Sequence, residues 1–431
     1  MTADSAAKAK TSSPSANDHA LAQELFDELR TQTSDGIGIT RLAYSDQETA
    51  ALGIIEAKAK GFGLQTARDA GANLVVTLEG EDPTLPSLAL GSHLDSVPQG
   101  GNYDGAAGVV AGLMVLARLV EEGRTPKQTL KLYGLRGEES ARFGKAYIGS
   151  SALFGRITAA DLTAQDLSSG RTLLGCMAEV GVDVDRVKMG EPLVDAKSLA
   201  GWIELHIEQG PVLLARKTPI GIVTGIRGNV RHRMIECLGE PGHSGAVPRE
   251  LRHDAVFATA DLITRLDRQW EMGLERGEDL VVTCGILSTD LEEHAIARIP
   301  GKVHFSFEVR SQNVETMELF YRCFLSECEA IEREREVKFR LDRRVESLPA
   351  MMDAEWVARL KRAAVCLGLP GDEMASGAGH DAAVFANAGI PSAMLFVRNE
   401  NGSHNPNEAM DIDDFVKGVA VMRAGIAEAV L

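Results

Sequence analysis

The chain has 431 residues, 44% of them apolar, with a formal net charge of −17 and a pI near 5.1. That is about three times the length of a typical domain, so at least two domains with large cores are expected. The acidic balance excludes nucleic acid and anionic membrane as partners, because both demand a positive footprint. Six cysteines, with no C-x-x-C pair among them, argue against a sulfur-ligated zinc knuckle or a disulfide framework and point to a reducing cytoplasm.

Residues 1–17 are rich in Ala, Ser, Thr and Lys, hold no apolar run of the signal-peptide kind, and read as a disordered tail. From 18 to 216, strand-like runs at Asn73–Glu79, Ser87–Gly91 and Thr129–Leu135 alternate with helical stretches, Gly105–Glu122 being the helix between the last two. Such alternation predicts an α/β domain, a mostly parallel sheet flanked by helices, with function collecting at the C-terminal strand ends. The most apolar stretch, Gly105 to Val120, is interrupted by Arg118 and falls short of the roughly 20 residues that cross a bilayer. It reads as a buried helix. Between 217 and 333 the pattern changes to a strand pair (Ile220–Gly225, Val230–Leu238), a helix (Arg252–Leu274), two strands (Leu280–Leu287, Lys302–Arg310) and a helix (Val314–Arg333). This order predicts a small inserted α+β domain. Residues 334–431 return to helix, loop, strand (Ser392–Val397) and helix, completing the first sheet.

Two strands of the first domain run straight into polar clusters. Ser92-His93-Leu94-Asp95 closes one, and Asn102-Tyr103-Asp104 then leads into the apolar helix. A histidine and a carboxylate so placed can face one metal, with Asp95 accepting the other imidazole N–H and Asp104 free to bridge two ions. The glycines at 100, 101, 105 and 108 would let the backbone come close. The plainer alternative is that His93 ends the strand and Asp104 caps the helix. Glu138 and Glu139, adjacent after the strand ending at Leu135, suit one carboxylate on metal and its neighbour as a base; alternatively they are surface acids. His206 shares a strand face with Glu204 and Glu208, where a histidine is more often a satisfied core residue. His404 stands in a Gly/Pro-rich turn, Gly402-Ser403-His404-Asn405-Pro406.

Taken together, the motifs at 91–105 (GSHLDSVPQGGNYDG), 138–144 (EESARFG), 204–213 (ELHIEQGPVL), 242–245 (GHSG), 376–382 (SGAGHDA) and 402–408 (GSHNPNE) resemble the hydantoinase/carbamoylase group of the M20 metallopeptidase superfamily. The resemblance covers nearly the whole chain after the tail. It implies a Zn-peptidase-like catalytic domain over 18–216 and 334–431, and a ferredoxin-like lid and dimerisation domain over 217–333. It implies two divalent ions, zinc first, with manganese, cobalt or nickel also suited to the donor set. His93, Asp104 and His206 would bind one ion and Asp104, Glu139 and His404 the other, with Glu138 as general base. His243 would bind the developing oxyanion in the partner subunit of a homodimer. Gln209 would contact a small-molecule substrate, and Arg310 would grip its carboxylate. His380 and Asp381 would support the metal cluster from behind. His19, His253, His294 and His304 match no such motif.

The implied reaction is hydrolysis of the C–N bond of N-carbamoyl-L-amino acids or related ureido acids. Allantoate, N-acyl-amino acids and dipeptides are alternatives on the same site, and a non-catalytic metal-binding scaffold is the reading of another class. The retained Glu138 speaks against that last reading. The chain also departs from the family pattern. Ala297 stands where relatives carry an Asn, Glu308 replaces an Asp two residues before Arg310, and Ser-Gly-Ala-Val-Pro follows His243. Arg227, Arg231, His232 and Arg233 cluster nearby, which suggests either an anionic substrate or a strand face paired with acids.

Overall fold

The computed structural model describes residues 16–431 apart from Leu167 and His294. The expected tail thus lies outside the described residues up to position 15, and Ala16 and Asn17 open a helix, Ala16–Thr33. The chain divides into two compact units: one takes the chain up to Thr224 and again Met351–Leu431, the other is Gly225–Ala350.

The larger unit is built on a nine-stranded sheet. Its middle is four parallel strands, in the order Leu130–Leu135, Ser87–His93, Leu199–Ile207 and Ser392–Val397. Leu74–Leu78 on one side and Ile220–Ile226 on the other join antiparallel, so the sheet is mixed at its flanks and parallel where it is deepest. All seven residues of Ser87–His93 are buried, the pattern of a strand covered on both faces. The apolar helix is Ala106–Glu121, buried at every position except Arg118, Val120 and Glu121. A helix apolar all round needs cover all round. It has the sheet on one side and Ala16–Thr33, Asp46–Gly61 and Ile412–Val430 on the other.

The smaller unit follows the order βαββαβ. Gly228–Leu238 and Lys302–Ser311 are the central antiparallel pair. Val281–Thr283 and Leu287–Thr289 pair with the second, and Lys338–Arg340 and Val345–Ser347 with the first. Numbered along the chain, the strand order is 4-1-3-2, the ferredoxin-like arrangement. Helices Ala255–Glu275 and Val314–Arg335 pack on one face around Phe305, Phe307, Phe320 and Phe324.

Three local expectations change. Ile220–Gly225 and Val230–Leu238 do not pair with each other. Ile220–Ile226 is buried on both faces and joins Ser392–Val397 in the large sheet, whereas Gly228–Leu238 buries mainly one face and centres the small one. The division therefore falls at 224/225 rather than 216/217. It falls at 350/351 rather than 333/334, because Lys338–Arg340 and Val345–Ser347 still pair with Gly228–Leu238. The run Leu280–Leu287 breaks in two where Ser306 Oγ accepts the N–H groups of Gly285 and Ile286, next to a register shift in the neighbouring strand between Phe305 and Phe307.

Candidate metal centre

Each of the four parallel strands ends on a polar residue or runs into a polar loop, and all four ends lie on the same edge of the sheet. His93 is the last residue of its strand, His206 the last but one of its own, Glu138 and Glu139 follow Leu135, and the segment after Val397 leads to His404. The sheet thus gathers at one edge residues scattered over more than 300 positions.

Asp104 stands at the centre. Its Oδ1 is 3.2 Å from Nε2 of His206 and 3.7 Å from Nε2 of His93. Its Oδ2 is 3.3 Å from Nε2 of His404, which lies 3.1 Å from Glu139 Oε1. His93, Asp104 and His206 form one group that could hold a metal ion, and Asp104, Glu139 and His404 form a second. The capping alternative for Asp104 does not hold: the helix N-cap is Gly105, and it has no side-chain cap. Gly105 has φ +65°, and a Cβ there would fall 2.4 Å from the His93 ring. Only glycine fits both constraints.

The imidazoles are oriented from behind. Nδ1 of His93 lies 3.1 Å from the Asp95 carbonyl oxygen and 3.3 Å from its Oδ1, and Nδ1 of His206 lies 2.9 Å from the Ile207 carbonyl. With the proton on Nδ1, each ring turns its Nε2 lone pair toward Asp104. Asp95 does more than hold His93, because its two oxygens accept the backbone N–H groups of Glu138 and Glu139 at 3.0 and 2.9 Å. His380 lies with its ring centroid 4.4 Å from that of His206, the two planes tilted by 59°, and shares a 3.0 Å hydrogen bond with Ser376, while Asp381 accepts from Ser150. A third grouping, Glu204, His206 and His380, is explained without an ion. Ser92 Oγ, Trp202 Nε1 and Ala382 N–H fill both Glu204 oxygens.

The electrostatics are those of a buried anionic cup. Burial pushes the Glu138 carboxyl well above the usual range; nearby His93 opposes that, and the charges of Glu139, Asp381 and Asp95 add to it. Burial alone would lower His93, yet Glu138, Asp95 and Asp104 outweigh it and hold the imidazole well above its ordinary value. His404 is raised to about 10 by its bonds to Asp104 and Glu139. Surroundings that favour a proton on histidine also favour a divalent cation.

Gln209 donates from Nε2 to Asp104 Oδ2 at 2.8 Å, and its own Oε1 is buried with no hydrogen-bond partner among the described residues. Gln209 and His404 both have positive φ, 63° and 60°, a conformation that costs a residue with a side chain about 1–3 kcal/mol. Ser403 and Glu408 belong to the site although only their motif pointed there. Ser403 Oγ lies 2.6 Å from both Asp104 Oδ2 and Glu408 Oε2, and Glu408 Oε1 accepts the N–H groups of Tyr103 and Asp104. Gly101 makes room for this contact: a Cβ there would sit 2.0 Å from the Glu408 carboxyl.

His243 and Arg310 are in the smaller unit. His243 pairs with Arg298 in a two-stranded ribbon, is exposed, and its Nδ1 accepts Gly245 N–H at 3.1 Å. Arg310 donates from Nε to Glu308 Oε2 at 3.0 Å, and Arg231 meets Glu308 Oε1 at 2.6 Å. The basic cluster is largely engaged by acids: Arg227 binds Asp279, Arg231 binds Glu308, and buried His232 lies between Asp342 and Tyr321.

Residues 89–428 match the peptidase family M20/M25/M40. The chain is 32% identical to an N-carbamoyl-L-amino acid amidohydrolase of Geobacillus stearothermophilus, over 89% of this chain and 92% of that one. It is 32% identical to an allantoate amidohydrolase of Bacillus subtilis, over 87% and 89% of the two chains. Its fold is similar to that of a hydantoinase/carbamoylase family amidase from Burkholderia ambifaria, with a TM-score of 0.85 at 28% identity over 96% and 97% of the two chains. The protein belongs to peptidase family M20/M25/M40, among its hydantoinase/carbamoylase amidases.

Proposed function

We propose that this protein is a metal-dependent amidohydrolase that cleaves the C–N bond of N-carbamoyl-L-amino acids or related ureido acids. The observation that carries the reading is the shared carboxylate of Asp104, which turns one oxygen toward His93 and His206 and the other toward His404 beside Glu139. The donor set is nitrogen and oxygen, both strand-end imidazoles present Nε2, and the cup is anionic, so two divalent ions fit: His93, Asp104 and His206 for one, Asp104, Glu139 and His404 for the other. Zinc suits these donors first, and manganese, cobalt or nickel would also be accepted. When bound, the ions polarise the scissile carbonyl and bring the pKa of water down to about 7.

Glu138, close to His93 and raised in pKa, is the group that takes a proton from water and delivers it to the leaving nitrogen. The orphaned Oε1 of Gln209 is an acceptor for a substrate N–H. Arg310 would hold the substrate carboxylate, oriented by Glu308. Gly245 N–H fixes Nδ1 of His243 as an acceptor, so the neutral ring carries its proton on exposed Nε2, the form an oxyanion donor needs. We assign His243 to the active site of the partner in a homodimer. No helix among the described residues is long and apolar enough to cross a membrane, and the six free cysteines suit the reducing cytoplasm in which we place the enzyme.

The experiment is ammonia release, with amine release in parallel, from N-carbamoyl-L-amino acids, allantoate, N-acyl-amino acids and dipeptides. The enzyme is reconstituted with zinc, manganese or cobalt, and Glu138→Gln is the control. Ammonia from a carbamoyl or ureido compound, lost in the control, supports the reading. Turnover confined to acyl-amino acids or dipeptides would replace it.

A further inference from the structure

Successive backbone N–H groups in the turn carrying Glu138 and Glu139 each meet a side-chain oxygen rather than a neighbouring strand. Arg136 N lies 3.0 Å from Asn73 Oδ1, Gly137 N 2.9 Å from Glu48 Oε1, Glu138 N 3.0 Å from Asp95 Oδ1, and Glu139 N 2.9 Å from Asp95 Oδ2. Loop amides ordinarily turn to water; here a whole turn is gripped by buried groups. Glu48 is wholly buried, and its Oε2 accepts Tyr44 N–H at 2.9 Å and the Arg136 guanidinium at 2.5 Å. Gly137 has φ +63°, and a Cβ there would lie 2.7 Å from the Tyr44 ring. The turn is therefore pressed onto the residue whose N–H Glu48 also holds.

We propose that Glu48 is a positioning residue of the hydrolytic site: by fixing Gly137 N–H it forms, with Asp95, a clamp that aims the Glu138 carboxylate. The assignment rests on Glu138 acting as the general base. Glu48 lies ahead of the segment that matches the family, and its sequence setting disguises it. Ser45-Asp46-Gln47-Glu48 has the form of a capping box, in which the glutamate ordinarily turns back to the N-cap N–H. Ser45 does cap the helix, its Oγ accepting Glu48 N–H at 3.2 Å. The Glu48 carboxylate goes instead to Tyr44, Gly137 and Arg136. The carbonyls of Arg136, Gly137 and Glu138 are held by the N–H groups of Gly149, Ile148 and Tyr147, so what Glu48 adds to Asp95 is the acceptor for Gly137 N–H, the amide next to Glu138.

The test compares wild type, Glu48→Gln, the double variant Glu48→Met/Arg136→Met, and Leu360→Ala as a core truncation outside the site. Four quantities are read: hydrogen exchange of the peptide over residues 136–143, metal content, melting temperature, and steady-state kinetics at 25 °C. In Glu48→Gln one amide must face the side-chain NH2, and in the double variant Gly137 N–H has no acceptor. Both are expected to exchange amides 137–139 faster and to lose about 10²-fold in kcat with KM little changed and metal retained, since small misplacements of a catalytic group cost about that much. The double variant leaves no unpaired buried charge, so its melting temperature should return toward wild type while kcat does not. Leu360→Ala should melt earlier with exchange at 137–139 and kcat unaltered. Unchanged exchange in both Glu48 variants would overturn the clamp, and recovery of kcat in the double variant would show that Glu48 only neutralises Arg136. Should wild type turn over none of the substrates, the base assignment falls while the exchange data still decide the clamp.

Discussion

Asp95 Oδ2 lies 2.9 Å from the backbone nitrogen of Glu139, so the residue that steadies His93 also steadies the carboxylate opposite it. One buried side chain couples the two groups of residues that could hold a metal ion. Asp95→Asn would set an amide NH2 against one of the two N–H groups. The expected result is a loss of about 10- to 100-fold in metal affinity or activity, as for other groups that orient ligands. Metal retention against a chelator measures it, and unaltered retention and turnover would remove Asp95 from this role.

Gly105→Ala should be costly out of proportion to one methyl group. The positive φ by itself costs about 1–2 kcal/mol in an L-residue, and the Cβ would drive into the His93 ring. Urea denaturation should show at least that loss, and the variant should bind less metal than wild type. A stable variant with full metal content would mean that the loop yields more easily than its packing suggests.

Asp166 offers a test by pH away from the metal centre. Burial raises its carboxyl, but hydrogen bonds from Ser168 and Ser169, with Arg142 beside them, outweigh burial and hold it below the ordinary 3.8. A depressed folded pKa gives stability that is present above 3.8 and is lost as pH falls through the folded value. Asp166→Asn should therefore melt earlier than wild type at neutral pH, with the gap closing as the medium is acidified below about pH 4. A gap that stays constant with pH would mean that the charge on Asp166 contributes nothing.

Arg231 and His232 allow the anionic-substrate reading to be tested. Because Glu308 and Asp342 already occupy them, replacing both by Ala should leave the preference between mono- and dicarboxylate substrates as it was. His232→Ala should instead cost stability, about 1–3 kcal/mol, by leaving the Tyr321 hydroxyl without its partner. A shift toward monocarboxylates on competition of the two substrate types would restore the anionic-substrate reading.

Much of the candidate site is legible in the sequence, because it is written in short motifs, and the strands that lead to them are apolar runs of the right length. His93, Asp104, Glu139, His206 and His404 each had a plainer reading alone and were singled out by the family resemblance of the combined motifs, and the structure brings them to one sheet edge. Glu408 and Glu48 did not stand out. One reaches Asp104 across 304 positions and the other reaches Gly137 across 89, and neither spacing follows from local pattern. Glu204 could have passed for a ligand until its oxygens were seen to be filled.

Periodicity and composition determined that this chain forms an α/β unit with an α+β insertion, because burial of apolar faces is a local property repeated along each element. The pairing of Ile220–Ile226 with Ser392–Val397, the break at Cys284–Ile286 and the engagement of Arg227, Arg231 and His232 were decided only in three dimensions. In each case the outcome depends on which distant strand or acid arrives alongside. The partners of a buried polar group are chosen by geometry, since any unpaired one is costly, and that choice is made by the folded chain as a whole.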